Sequence, residues 1–110
     1  MAKETIIRIE DEIRKCETLG EDRREEILGL IKELRNEIDT LEKTSSEGAR
    51  SVAAYAETSV KEAMRSETDP ELLKHSLDGL SLAVRRFEVS HPGLVNIINN
   101  IGRTLATLGI

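Results

Sequence analysis

Residues 70–89 of this 110-residue chain, PELLKHSLDGLSLAVRRFEV, carry a repeat that indicates an α-helical fold. Apolar side chains recur in this stretch at alternating intervals of four and three residues, which is the repeat of one face of an α-helix. They are Leu73, Leu77, Leu80, Val84 and Phe87. Asp69 and Pro70 predict that the helix begins here, because aspartate caps open amides and proline suits the first helical position.

The triplet Ser90-His91-Pro92 interrupts this pattern, because proline lacks an amide donor and disfavours a helical residue before it. The same apolar spacing then returns in the most apolar segment of the chain, at Leu94, Ile98, Ile101, Leu105 and Leu108. Residues 69–110 therefore predict a helical pair with a break at Ser90-His91-Pro92, and this half is expected to form the best-defined part of the core. Ser90 or His91 is expected to cap the last helix, with Glu88 facing its positive end.

The amino-terminal half shows the same periodicity in two segments, about 3–19 and 22–43. The first carries an apolar stripe at Ile6, Ile9, Ile13 and Cys16, and the second a heptad-like seam at Ile27, Ile31, Leu34, Ile38 and Leu41. Gly20 is predicted to end the first helix and Asp22 to cap the second. Because the two patterns keep a common seven-residue phase across Gly20, residues 1–44 are either a helical hairpin or one bent helix.

Residues 45–68 differ in composition from both halves and predict a small-residue helix with loops. A serine- and glycine-containing loop signal is followed by a segment, about 49–65, whose narrow stripe buries little area, so its stability is expected to be low. The stripe consists of Val52, Ala56, Val60, Ala63 and Met64. This segment either packs closely against another helix or acts as a flexible connector.

Three glycines inside helical patterns, Gly29, Gly79 and Gly102, predict close contacts between helices. A glycine within a helix costs about 1 kcal/mol relative to alanine, and a close helix crossing would offset that cost. The sequence therefore places helix contacts at these positions.

The segments together predict an all-α fold in a single domain, residues 1–110, because alternating strand patterns are absent. One arrangement is an antiparallel bundle of four to five helices with heptad-like seams. The other is a pair of long bent helices that pack against another subunit. Dimerisation would complete a bundle that is marginal as a monomer.

Composition argues against several functional classes. The formal net charge is −5 and no block of lysine and arginine offsets it, so nucleic acid is not an expected partner. Tyr55 and Phe87 are the only aromatic residues, too few for a base-stacking platform. Cys16 is the single cysteine, which fits a reducing compartment, and its spacing makes it a small core residue. With no signal-peptide pattern and no apolar run of about 20 residues, a cytoplasmic location and no membrane association are expected.

The stretch SLAVRRFEVSHPGLV at 81–95 and the terminal LATLGI at 105–110 resemble the signature of a small bacterial family, the domain of unknown function family 4404. The charged helical hairpin at the amino terminus is also similar. The resemblance is most specific at Phe87-Glu88-x-Ser90-His91-Pro92 and at Gly109-Ile110. It implies a short helical protein and supplies no reaction, cofactor or catalytic residue.

A metal- or ligand-binding bundle is the alternative functional hypothesis. Glu88 and His91 have the Glu-x-x-His spacing that places a carboxylate and an imidazole on one helix face, as di-metal carboxylate bundles require. His75 is the other histidine, and it lies four residues after Glu71 rather than three. A complete site would need a second such motif and two further glutamates.

The favoured hypothesis is a non-enzymatic protein that works by association with another protein, with a homodimer as the first candidate. Its contact residues would be apolar positions beyond those that one seam buries, namely Leu28, Leu30, Leu82, Val95 and Ile97. The competing interpretation is that the monomer's own core takes all five. No catalytic residue and no cofactor are predicted.

Overall fold

The structure, a computed structural model, describes residues 2–108, and in that range it contains five α-helices and no strand. The all-α prediction is therefore confirmed. The helices are α1 (Ala2–Lys15), α2 (Glu21–Glu42), α3 (Ser46–Ala63), α4 (Pro70–Arg85) and α5 (Pro92–Leu108).

Helix α3 is the centre of the bundle, because it contacts all four of the other helices. Helix α1 packs on α2 and α3, α2 also packs on α5, and α4 packs on α3 and α5. The Cα radius of gyration is 12.9 Å, which is close to the ~13 Å expected of one globular domain of this length. Of the two arrangements that the sequence allows, the single chain forms the five-helix bundle.

Helix α3 occupies this position because its buried face is made of small side chains. These are Gly48, Ala49, Val52, Ala53, Ala56, Ser59, Val60 and Ala63. Small residues let neighbouring backbones approach closely, so the segment is a closely packed helix and not a flexible connector. The loop expected before it is shorter than predicted, because Ser45 caps the helix by accepting a hydrogen bond from the Gly48 amide at 3.0 Å.

Most of the large, fully buried side chains come from α1 and α2, so the expectation that the carboxyl-terminal half would form the best-defined core is wrong. The amino-terminal set is Ile6, Ile9, Ile13, Ile27, Ile31, Leu34, Ile38 and Leu41, and the carboxyl-terminal set is Leu80, Leu94, Ile98 and Ile101. The physical reason is that α2 packs on three helices, α1, α3 and α5, so its apolar stripe is covered from several directions, whereas α4 packs on α3 and α5 alone. Cys16 is half-buried against this core, as expected.

The junction between α1 and α2 differs from the prediction. Helix α1 ends at Lys15, and Gly20 is the extended residue that precedes α2, so Gly20 does not end α1 and Asp22 does not cap α2. An arginine of α2 replaces the expected glycine cap. The guanidinium of Arg24 donates to the carbonyl oxygens of Ile13, Cys16 and Leu19 at 3.4, 2.6 and 3.3 Å.

The start of α4 confirms the prediction at Asp69 and Pro70. The Asp69 carboxylate accepts hydrogen bonds from the amides of Glu71 and Leu72 at 3.0 and 3.3 Å, and Pro70 is the first helical residue. The chain then turns at residues 86–91, so α5 begins at the predicted Pro92, but α4 ends at Arg85, before the predicted break.

The backbone of His91 joins that turn to the start of α5. Its amide donates to the Phe87 carbonyl at 2.8 Å, and its carbonyl accepts from the Leu94 amide at 3.1 Å. The imidazole Nε2 lies 3.3 Å from Thr44 Oγ1 and so reaches the α2–α3 loop. The side chain of His91 therefore ties two turns together, and does not act as the predicted cap of α5.

The glycine contacts are confirmed at one position and wrong at two. A Cβ at Gly79 would lie 2.6 Å from Cε1 of the Tyr55 ring, so that ring packs directly on the α4 backbone. A Cβ at Gly29 or Gly102 would meet no atom within 4 Å, so neither lies at a close contact. The sequence analysis missed Gly48, where a Cβ would lie 2.5 Å from Cζ of Phe87.

No helix within residues 2–108 combines the length and the apolar character needed to cross a membrane.

Candidate interaction surface

The five apolar residues predicted to mediate association do not share one surface. Leu28, Leu30, Val95 and Ile97 are half-buried and pack against the core of their own chain. Leu82 differs from the other four, because 60% of its surface is exposed. The structure therefore leaves Leu82, on α4, as the predicted residue with the most free apolar surface.

Leu82 lies beside a groove between α3 and α4, which we call the α3–α4 groove. Its volume is about 340 Å³. Its lining residues are Glu47, Ser51 and Tyr55 from α3, and Gly79, Leu82, Ala83 and Arg86 from α4 and the residue after it. The two sides run antiparallel, because Tyr55 meets Gly79 while Gly48, seven residues earlier, meets Arg86 and Phe87.

Tyr55 dominates the apolar part of this groove. Its ring crosses from α3 to cover Gly79, and 46% of the residue remains exposed. Leu72 is exposed to the same extent and lies two helical turns before Gly79, on the same side of α4. The small residues Ser51 and Ala83 form the floor beside this ring, so the groove combines exposed large side chains with room for a partner's side chains.

One end of the groove carries two opposite charges. Glu47 lies on the α3 side and Arg86 on the α4 side. The Arg86 guanidinium stacks over the neighbouring Phe87 ring, with its central carbon 4.8 Å from the ring centroid, a cation–π contact that holds it in place. Among residues 2–108, no ion pair involves Glu47 or Arg86. Both charges are therefore available to another molecule.

A second cleft, between α2 and α5, has a different character. Its volume is about 610 Å³, and it is lined by Glu25, Glu26, Gly29, Leu30, Glu33, Asn100, Arg103 and Thr104. Three glutamates make it acidic, and Leu30 is its one large apolar side chain. Covering it would remove several charges from water for little apolar burial, which is unfavourable for a protein contact.

The candidate metal ligands do not come together. His75 is exposed on α4 and Glu88 is exposed in the turn after it. His91 is half-buried, with its ring 5.9 Å from that of Phe87 between centroids. Within the described range of the chain, no group of three or more His, Cys, Asp or Glu side chains could hold a metal ion.

Two ion pairs between helices were missed by the sequence analysis. Glu10 of α1 is nearly buried and pairs with Arg35 of α2. Arg8 of α1 donates from Nε to Glu57 of α3 at 2.9 Å. The hydrogen bond to the Glu57 carboxylate, together with its charge, raises the pKa of the Arg8 guanidinium. The signal for the first pair was an acidic residue next to the buried stripe, between Ile9 and Ile13.

Tyr55 was not among the predicted contact residues. Its signal in the sequence was a lone aromatic ring outside the small-residue stripe of α3. The glycine that receives the ring, Gly79, is distant in sequence, so only the register of α3 against α4 joins the two residues.

Comparison with known proteins gives one match. A family model described as a domain of unknown function (DUF4404) matches residues 27–110, which include most of α2 and all of α3, α4 and α5. No curated protein and no solved structure matches the chain. The matched range contains the whole α3–α4 groove. Gly109-Ile110, which carry part of the resemblance, lie outside the described residues.

Proposed function

The chain belongs to the DUF4404 family of domains of unknown function, and from that premise we propose that it is a non-enzymatic protein-association module whose contact surface is the α3–α4 groove. The family brings no reaction with it, so the proposal rests on the surface. The observation that carries it is that Tyr55 and Leu82 line one groove and both remain largely exposed.

The chemistry of this surface fits a protein partner. Contact regions that dominate binding energy are enriched in tyrosine and arginine, and near-neutral contacts around these residues exclude water. The α3–α4 groove offers Tyr55 and Arg86 at its sides and small residues in its floor. The Phe87 ring restrains Arg86, and the Tyr55 ring packs on Gly79. Both side chains would therefore lose little conformational entropy when a partner binds.

Protein is the partner class that the charge and composition favour. A net charge of −5 disfavours nucleic acid, and a single cysteine fits work in the cytoplasm. We do not propose the alternative, a metal- or ligand-binding bundle, because Glu88, His91 and His75 form no cluster of ligands.

Leu82→Asp is expected to abolish association. A carboxylate placed in an apolar contact loses its hydration without gaining a partner, so capture of bound proteins should fall at least about tenfold, the equivalent of ~1.4 kcal/mol. The tagged chain is incubated with an extract of its source cells, and the retained proteins are quantified, including untagged copies of the chain itself.

Val89→Asp is the matched control, since Val89 is 96% exposed and lies outside the groove. It should retain the same proteins as the wild type. The proposal fails if the wild type retains nothing specifically, or if Leu82→Asp retains as much as the Val89→Asp control.

A further inference from the structure

The two sides of the α3–α4 groove carry opposite charges at the same position along its length. Because α3 and α4 run antiparallel, Glu47 near the start of α3 lies level with Arg86 just after the end of α4. Within one copy the Tyr55 ring already covers Gly79, so the apolar surface left for a partner is the exposed part of Tyr55 on the α3 side and Leu82 on the α4 side. Each side therefore carries what the other side would bind.

A twofold axis that runs parallel to the groove, between two copies of the chain, would bring these complementary sides together. Rotation by 180° about this axis places the α3 side of one copy opposite the α4 side of the other, at the same position along the groove. Glu47 of each copy then meets Arg86 of the other, and the exposed part of Tyr55 faces Leu82 of the other copy. Twofold contacts require a surface that is complementary to itself, and the charges of Glu47 and Arg86 on opposite sides of the groove meet this requirement.

Taking the proposed function as its basis, we propose that the partner bound by the α3–α4 groove is a second copy of this chain, joined about that axis with two reciprocal Glu47–Arg86 ion pairs.

The distribution of charge also favours a second copy at this surface. Helix α2 has eight acidic and four basic residues, a net charge of −4, so it holds most of the chain's net charge of −5. It contacts α1, α3 and α5 and does not contact α4. Two copies joined through α3 and α4 keep the acidic faces of α2 outside the contact, while Glu47 and Arg86 leave the groove itself neutral.

Reciprocal charge reversal tests the arrangement. Glu47→Arg gives each dimer two Arg–Arg contacts, and Arg86→Glu gives two Glu–Glu contacts, so each variant alone should dimerise roughly 10- to 100-fold more weakly than the wild type. A mixture of the two variants restores both opposite-charge pairs in the heterodimer. Sedimentation equilibrium of each variant and of the equimolar mixture measures the three dissociation constants.

Lys74→Glu is the control, because it reverses a charge of the same kind on α4 outside the groove. It should leave the dimer unchanged, and circular dichroism should show equal helix content in all variants. Wild-type affinity in the mixture, with both single variants weakened, supports the proposal. It is overturned if the mixture stays as weak as the single variants, or if the single variants dimerise as tightly as the wild type.

A monomeric wild type at high concentration also overturns the second-copy proposal. Capture of other proteins that is lost with Leu82→Asp would then leave the association function standing. If the wild type is monomeric and Leu82→Asp also retains as much protein as its control, both the second-copy proposal and the proposed association function are overturned.

Discussion

An Ala56→Leu variant is expected to lose about 3 kcal/mol of free energy of unfolding, since enlarging a side chain in a closely packed interior forces backbones and rotamers to move. Ala56 is fully buried on α3, the helix that contacts all four others. The loss is a large share of the ~5 to 15 kcal/mol that stabilises a typical domain, and denaturant unfolding followed by circular dichroism measures it.

Ala54→Leu is the matched control on the same helix, because Ala54 is exposed. The same chemical change there should alter stability by no more than about 0.5 kcal/mol. Equal effects of the two substitutions would contradict the central, closely packed position of α3.

Removing Arg35 is the second change with a large expected effect. Arg35→Ala leaves the Glu10 carboxylate nearly buried without its partner, which should cost about 2 to 4 kcal/mol. The arginine side chain is 31% exposed, so water reaches part of the site and the loss falls below that of a fully buried pair. Thermal and urea unfolding of the variant measure the loss.

Replacing both partners separates the cost of a lone charge from the value of the pair. Glu10→Leu/Arg35→Met removes both charges and fills the space, and it should unfold within about 1 kcal/mol of the wild type. Lys74→Ala breaks an exposed pair with Asp78 and should change stability by no more than about 0.5 kcal/mol. A double variant as unstable as Arg35→Ala would show that the loss comes from packing and not from the unpaired carboxylate.

The sequence predicts the helices well, because their signals are local. The start of α4 depends on Asp69 and Pro70 alone, and the boundary before α5 depends on Pro92. The end of α1 could not be predicted in this way. Its carbonyl groups are satisfied by Arg24, which lies on the next helix and reaches them only after the hairpin has formed.

The arrangement of the helices could not be predicted from periodicity. Apolar stripes identify which faces are buried, but the narrow stripe of α3 suggested a weak element. Its small residues instead let four helices approach it closely, so a low buried area per residue marks the centre of the bundle. How much a helix contributes to the core therefore depends on the helices that pack on it as well as on the volume of its own side chains.

The candidate site was predicted in part. Excess apolar residues were recognised, and Leu82 is the one with the most exposed surface, whereas Leu28, Leu30, Val95 and Ile97 pack against their own core. Periodicity cannot make this distinction, because it depends on how far each neighbouring helix overlaps the stripe. The pairing of Tyr55 with Gly79 depends on helix register, which neither segment contains by itself.

Two-dimensional amide NMR spectra recorded during dilution from millimolar to low micromolar concentration test association through the α3–α4 groove, since they report it residue by residue. Self-association at this surface predicts progressive shifts for Ser51, Tyr55, Gly79, Leu82 and Ala83, which line the groove. It predicts none at Gly29 and Arg103, which line the α2–α5 cleft. Spectra that do not change with concentration, or shifts confined to that cleft, would contradict it.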